Sequence, residues 1–301
     1  IHAPLALTAA RRYAEIAPAV AHARHMPTHI FIQHGMWELV SNHNQSAYEA
    51  ARMLWETGDS VGDTVHPLDW GQYGDLQRGD YKKALVWIER LEQLIELSGG
   101  AERAVSALSL LRARYVVETE QWMTTSISSN SPIQELFATG LSAVRTMNLP
   151  LAENARAAMA LAREDGGAQA SIAYHSIAAS IYATEGMPLD ATRAMDEAIV
   201  VAETLRQPNG AASQVKPPYE LYGEILLQLG RPDEALKMFE TSLLRMPNRM
   251  RSLLGAAQAA SKSGDRAKAM AYYTNLLNFW IGTKNDGWYL EAQQFVRTTE
   301  R

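Results

Sequence analysis

Along most of the 301 residues, apolar side chains recur at the three- and four-residue spacing of amphipathic helices, and period-two alternation is nearly absent. Short turns built around one glycine cut the helical patterns, as in LQRGDY, ATEGMP, LQLGRP and SKSGDR. No Asn-Gly or Asp-Gly hairpin joins β-branched runs. The pattern therefore predicts an all-α chain of helix–turn–helix units. Its period is clearest near the C-terminus. Gly230 and Gly264 lie 34 residues apart, and around them Ala235 matches Ala269, Phe239 matches Tyr273 and Gly223 matches Ala257, with Pro247 closing the first unit. Small residues let two antiparallel helices touch, and the aromatic fills the gap to the next pair. The same register returns at Gly186 with Ala179, Tyr182, Ala191 and Ala198, at Gly79 with Ala84, and at Gly35 with Phe31 and Ala47.

Successive turn glycines are 44, 107, 44 and 34 residues apart, so several units carry insertions. TGDSVGDTVHP, TTSISSNSP and QPNGAASQVKPP read as loops, either tolerated insertions or ligand-contacting lids. One continuous domain is expected, with His-rich repeats over 1–95, degenerate helix pairs over 96–170 and regular repeats over 171–301. Extending the register backwards places Ala6, Ala10 and Pro18 in the second helix of a preceding unit. A helix over Pro4–Ile16, packing through Ala6, Ala10 and Tyr13, follows from this. So does a processed or truncated start, with a further chain or a missing N-terminal segment packing on residues 1–18.

A 34-residue helix–turn–helix unit with small crossing residues and an aromatic in its second helix resembles the tetratricopeptide repeat. The resemblance implies a right-handed superhelical solenoid whose first helices line a concave groove holding a protein or peptide partner. In peptide-binding members the second, fifth and ninth residues of each unit contact the ligand. Counted with the turn glycine as the fifteenth residue, these are His22, His25 and His29 in one unit, and His66, Asp69 and Tyr73 in the next. Glu220 and Glu224 take such slots in the unit of Gly230, although two acidic groups four apart on a helix ordinarily mark a solvated face. Of the seven tryptophans, most fall at packing positions, and Trp70 is the best candidate to line the groove.

Charge and composition narrow the chemistry. The formal net charge is −5, without a basic stripe, which argues against nucleic acid. No apolar run is long enough for a membrane span. With no cysteine, disulfides, thiolate zinc sites, iron–sulfur clusters and thiol nucleophiles are excluded. The chain fits cytosol or periplasm equally. Neither a Gly-x-Ser-x-Gly elbow nor a phosphate-binding glycine loop is present, so no reaction is named by motif.

Histidine is the anomaly. Seven of the eight lie within the first 66 residues, four of them in Ala21–Trp37. Residues three and seven apart on a helix stand within about 60° of each other. His22, His25 and His29 therefore share a face, joined across the groove by His66 and Asp69. Such a set could hold Zn, Cu, Ni or Fe through neutral imidazoles; alternatively the rings bond to neighbouring helices or to a partner. The spacing is permissive and lacks the His-Glu-x2-His of zinc proteases. His34 and His43 read as structural or surface groups, and His175, beside Tyr174, as core. Pro27 falls inside the expected helix and predicts either a kink or a helix starting at the proline. If a metal is bound, Asp69 or the carbonyl of Ala23 is expected to accept from a ligand's far ring nitrogen. The segments HMPTHIF and HPLDW resemble an uncharacterised bacterial subgroup of tetratricopeptide proteins with an H-M-P-[ST]-H-I-[FY] signature, over about residues 1–95. That resemblance implies further upstream histidines and brings no activity with it.

Overall fold

The computed structural model describes residues 3–17, 19–128, 130–164, 167–205 and 214–299. Among these the chain is all-helical, without strands. It opens with α1 (Ala3–Ile16), two short helices α2 (Ala21–His25) and α3 (Thr28–Phe31), and a 3-10 turn at Ile32–His34. Then follow α4 (Trp37–Leu54), α5 (Gly62–Arg78), α6 (Tyr81–Leu97), α7 (Glu102–Thr119), α8 (Ile133–Arg145) and α9 (Leu149–Glu164). The remainder is α10 (Ala168–Thr184), α11 (Pro188–Thr204), α12 (Pro218–Gln228), α13 (Pro232–Arg245), α14 (Met250–Lys262), α15 (Arg266–Phe279) and α16 (Gly287–Thr299). Consecutive helices pack on one another, giving a helical repeat solenoid.

All five glycines picked out by the pattern end a helix in the left-handed conformation, with φ between 62° at Gly35 and 83° at Gly264. At each, the next residue donates to the carbonyl four before the glycine, as in Asp80 N to Asp75 O and Arg231 N to Leu226 O, both 2.9 Å. This Schellman arrangement satisfies carbonyls that the helix end would leave bare. A sixth turn of the same kind joins α8 to α9, with Met147 at φ 61° and Asn148 N bonded to Ala143 O at 2.8 Å. It lacks glycine, which is why the pattern of turns passes over it.

The crossing positions behave as the small residues require. Ala84, Ala179, Ala191, Ala198, Ala235, Ala257 and Ala269 are fully buried. Phe239 of α13 sits against two glycines of first helices: a Cβ on Gly223 would come within 2.8 Å of its ring, and one on Gly255 within 2.3 Å.

Several expectations change. The segment TGDSVGDTVHP is loop only to Val61, because α5 already starts at Gly62 and carries Pro67 in its second turn. Helix α1 packs through Ala10 and Leu7, whereas Tyr13, expected on the packing side, is 47% exposed. Pro18 and residues 207–213 of the third loop lie outside the described residues. His175 is mostly buried, its side chain 12% exposed, and it bridges Arg163 and Glu197.

The turn between α13 and α14 is the main departure from an open solenoid. It reaches back onto the first repeats. Trp37 Nε1 donates to Asn248 O at 2.7 Å, and Met250 N to Gln77 Oε1 at 3.0 Å. Arg249, fully buried, donates to Glu220 Oε2 at 2.7 Å, Glu118 Oε1 at 2.5 Å and the Tyr73 hydroxyl at 3.0 Å. Farther along, Ile281 N bonds Arg78 O at 2.9 Å, and the Trp280 ring lies over Gly79. Part of the inner side is thus filled by the chain itself.

Candidate metal centre

Pro27 shapes one half of the site. Met26 N donates to His22 O, and Phe31 N to Pro27 O, so helical bonding stops and restarts around a residue that has no N–H to give. His25 consequently ends α2, and His29 stands in the first turn of α3. The Thr28 hydroxyl covers the break by donating to His25 O at 2.7 Å. The other half comes from α5, the first helix of the next pair, which carries His66.

One nitrogen each from His25, His29 and His66 lies within 4.8 Å of the other two. His25 Nε2 and His29 Nε2 are 3.2 Å apart. Trp70, one turn beyond His66 and buried, packs its indole 4.9 Å from the His25 ring, 4.5 Å from His29 and 5.6 Å from His66. His25 is itself buried, while His29 and His66 are partly open. Burial lowers the His25 pKa to about 3; the hydrogen bond to Asn44 opposes this, and the neighbouring His66, His29 and His22 add to it. His66 is lowered as well, by burial first, with the Asp69 carboxylate pulling the other way. Both rings are therefore neutral at neutral pH, the form that ligates metals.

Two of the five residues named from the sequence fall outside this group. His22 is exposed on α2, at the rim of an open pocket of about 420 Å³ shared with Asp59 and Asp63. Asp69 is held from the other side: the buried guanidinium of Arg114 on α7 donates to its Oδ1 at 2.7 Å. Its charge reaches His66, but its carboxylate is not among the converging atoms.

The group facing the Nδ1 of His25 is the Asn44 amide oxygen on α4, at 2.7 Å, rather than Asp69 or the Ala23 carbonyl. The sequence did carry a signal for it. Trp37, Val40, Asn44, Ala47 and Ala51 form one helical stripe, all buried, and an amide in such a stripe needs partners inside the protein. Arg249, by contrast, stands on a turn that no local pattern ties to residues 73 and 118.

Of the remaining candidates Tyr73 is on α5, while Glu220 and Glu224 are on α12, which the Schellman turn at Gly230 joins to α13. The tetratricopeptide repeat model matches residues 217–248. No curated protein matches the chain. Within this repeat Glu220 is fully buried and is no solvated group: it pairs with Arg249 and with Lys216 at 3.0 Å, and Ser252 donates to it at 2.6 Å. These cations hold its carboxyl far below the usual range despite its burial. Tyr73, facing the same interior, is enclosed by Arg249 and by Met246, whose sulfur lies 3.5 Å from its hydroxyl. Glu224 stays partly open and pairs with Lys216 at 2.7 Å and Arg145 at 2.8 Å. It borders a shallow pocket of about 360 Å³ with Leu141, Ser180, Thr184 and Gln228.

Proposed function

We propose that the protein is a tetratricopeptide-type scaffold that binds one first-row transition ion, with zinc the best fit, on His25, His29 and His66. The observation that carries this reading is the convergence of one nitrogen from each ring within 4.8 Å, drawn from two separate helix pairs. Ligand nitrogens 2.0–2.1 Å from a tetrahedral ion are about 3.3 Å apart. The 3.2 Å between His25 and His29 already meets this, and His66, within 4.8 Å, would move inward by up to about 1.5 Å. Three neutral imidazoles leave a fourth position for water or a small ligand, as in open zinc sites. Trp70 would wall the ion on one side. The HMPTHIF segment supplies two of the ligands, so in this reading the bacterial subgroup signature is the mark of the site.

Elemental analysis of purified protein tests this. About one equivalent of metal per chain is expected, lost in His29→Ala with unchanged helical circular dichroism. A metal-free protein that takes up none on incubation with zinc leaves the rings as a hydrogen-bonded packing cluster. A second reading, a peptide partner on the concave face, is favoured by the repeat match and by the open pocket beside Glu224. In that reading the partner contacts Glu224 and Arg145, because Tyr73 and Glu220 are taken up by Arg249.

A further inference from the structure

Asn44 is a fully buried amide in the middle of α4, and both ends of it are committed. Its Nδ2 donates to Val40 O at 2.8 Å. A carbonyl can only accept, so the atom turned toward His25 is the amide oxygen, itself an acceptor. The other neighbour of His25 Nδ1 is the Thr28 hydroxyl at 3.5 Å, whose proton is spent on His25 O at 2.7 Å. Everything facing Nδ1 accepts. Nδ1 must therefore carry the proton of the neutral ring, and the lone pair sits on Nε2, 3.2 Å from His29 Nε2.

From this geometry we infer that Asn44 is the positioning residue of the centre: it fixes His25 as the Nδ1–H tautomer and aims the Nε2 lone pair at the point shared with His29 and His66. The inference rests on the reading of His25 as a ligand. It adds that the orienting group is a neutral amide, not the carboxylate common behind metal-bound histidines. With Asp69 held by Arg114, three neutral rings and a neutral amide would give an ion no charged ligand from the converging residues. The fourth position then favours an anion or an ionised water.

The tautomer is measurable without metal. In metal-free protein with 15N-labelled histidine, long-range 1H–15N spectra should show His25, assigned by the signals lost in His25→Gln, protonated at Nδ1, the minor form of free neutral histidine. A competing chelator dye then reads zinc affinity. Asn44→Leu should bind about tenfold or more weakly with unchanged helical circular dichroism. Asn44→Asp, which keeps an acceptor toward Nδ1, should bind no more weakly than wild type. Wild-type His25 protonated at Nε2, or wild-type affinity in Asn44→Leu, overturns the inference. Should Asn44→Leu not fold, the wild-type tautomer decides alone. A wild-type protein that takes up no zinc defeats the metal reading, while the tautomer still decides what Asn44 does.

Discussion

His25 concentrates the local physics. Its ring is 2% exposed and its pKa falls from 6.5 to about 3 through burial. In the unfolded chain the same ring protonates near 6.5. Between those values the unfolded state takes up a proton that the folded state refuses. The stability this residue contributes is therefore complete above about pH 6.5 and declines as pH falls toward 3. His43, His66 and His175 are lowered too, each by burial first, and act in the same direction. Denaturant unfolding at pH 7 and pH 5 should show wild type losing about 2 kcal/mol more than His25→Gln. Equal losses would mean that the ring protonates in the folded state. The residue types at this centre were legible in the sequence, since the repeat register singles out His25, His29 and His66. The register could not separate them from His22 and Asp69. That distinction depends on Pro27 breaking the helix and on Arg114, 45 residues away, drawing Asp69 aside.

At the scale of elements, the repeat depends on close helix crossings, and Phe239 makes the tightest of them testable. Gly255→Ala should gain about 1 kcal/mol from helix propensity. The added Cβ would lie 2.3 Å from the Phe239 ring, and overpacking typically costs about 1–3 kcal/mol. Net destabilisation in a thermal melt is the expected result, whereas Gly287→Ala, where a Cβ meets nothing within 4 Å, should be neutral or better. A stabilised Gly255→Ala would show that this crossing is looser than described. Helix pairs were readable at the five repeat glycines, because only glycine takes the left-handed conformation without cost, whereas the Gly99–Gly100 turn between α6 and α7 falls outside the repeat register. The α8–α9 pair was obscured because Met147 bears that conformation instead.

Over the whole molecule, the α13–α14 turn converts an open solenoid into one whose inner side is partly closed. Arg249 is the fastening. Its guanidinium serves Glu118, 3% exposed, and Glu220, fully buried. Arg249→Met should strand buried charge and cost about 3–5 kcal/mol, read as a clear fall in Tm. An unchanged melt would mean that the closure contributes nothing to stability. Sequence periodicity could not foresee this contact, because it joins residues 176 apart at Tyr73 and 131 apart at Glu118. The same closure occupies Tyr73 and Glu220 in the middle of the groove and leaves the histidines between α2, α3 and α5 outside it. X-ray absorption at the zinc K edge of zinc-loaded protein tests that centre most directly. Three imidazole nitrogens at about 2.0–2.1 Å, with at most one or two further light atoms, are predicted. A shell of oxygens alone, or a sample that retains no zinc after dialysis, would contradict it.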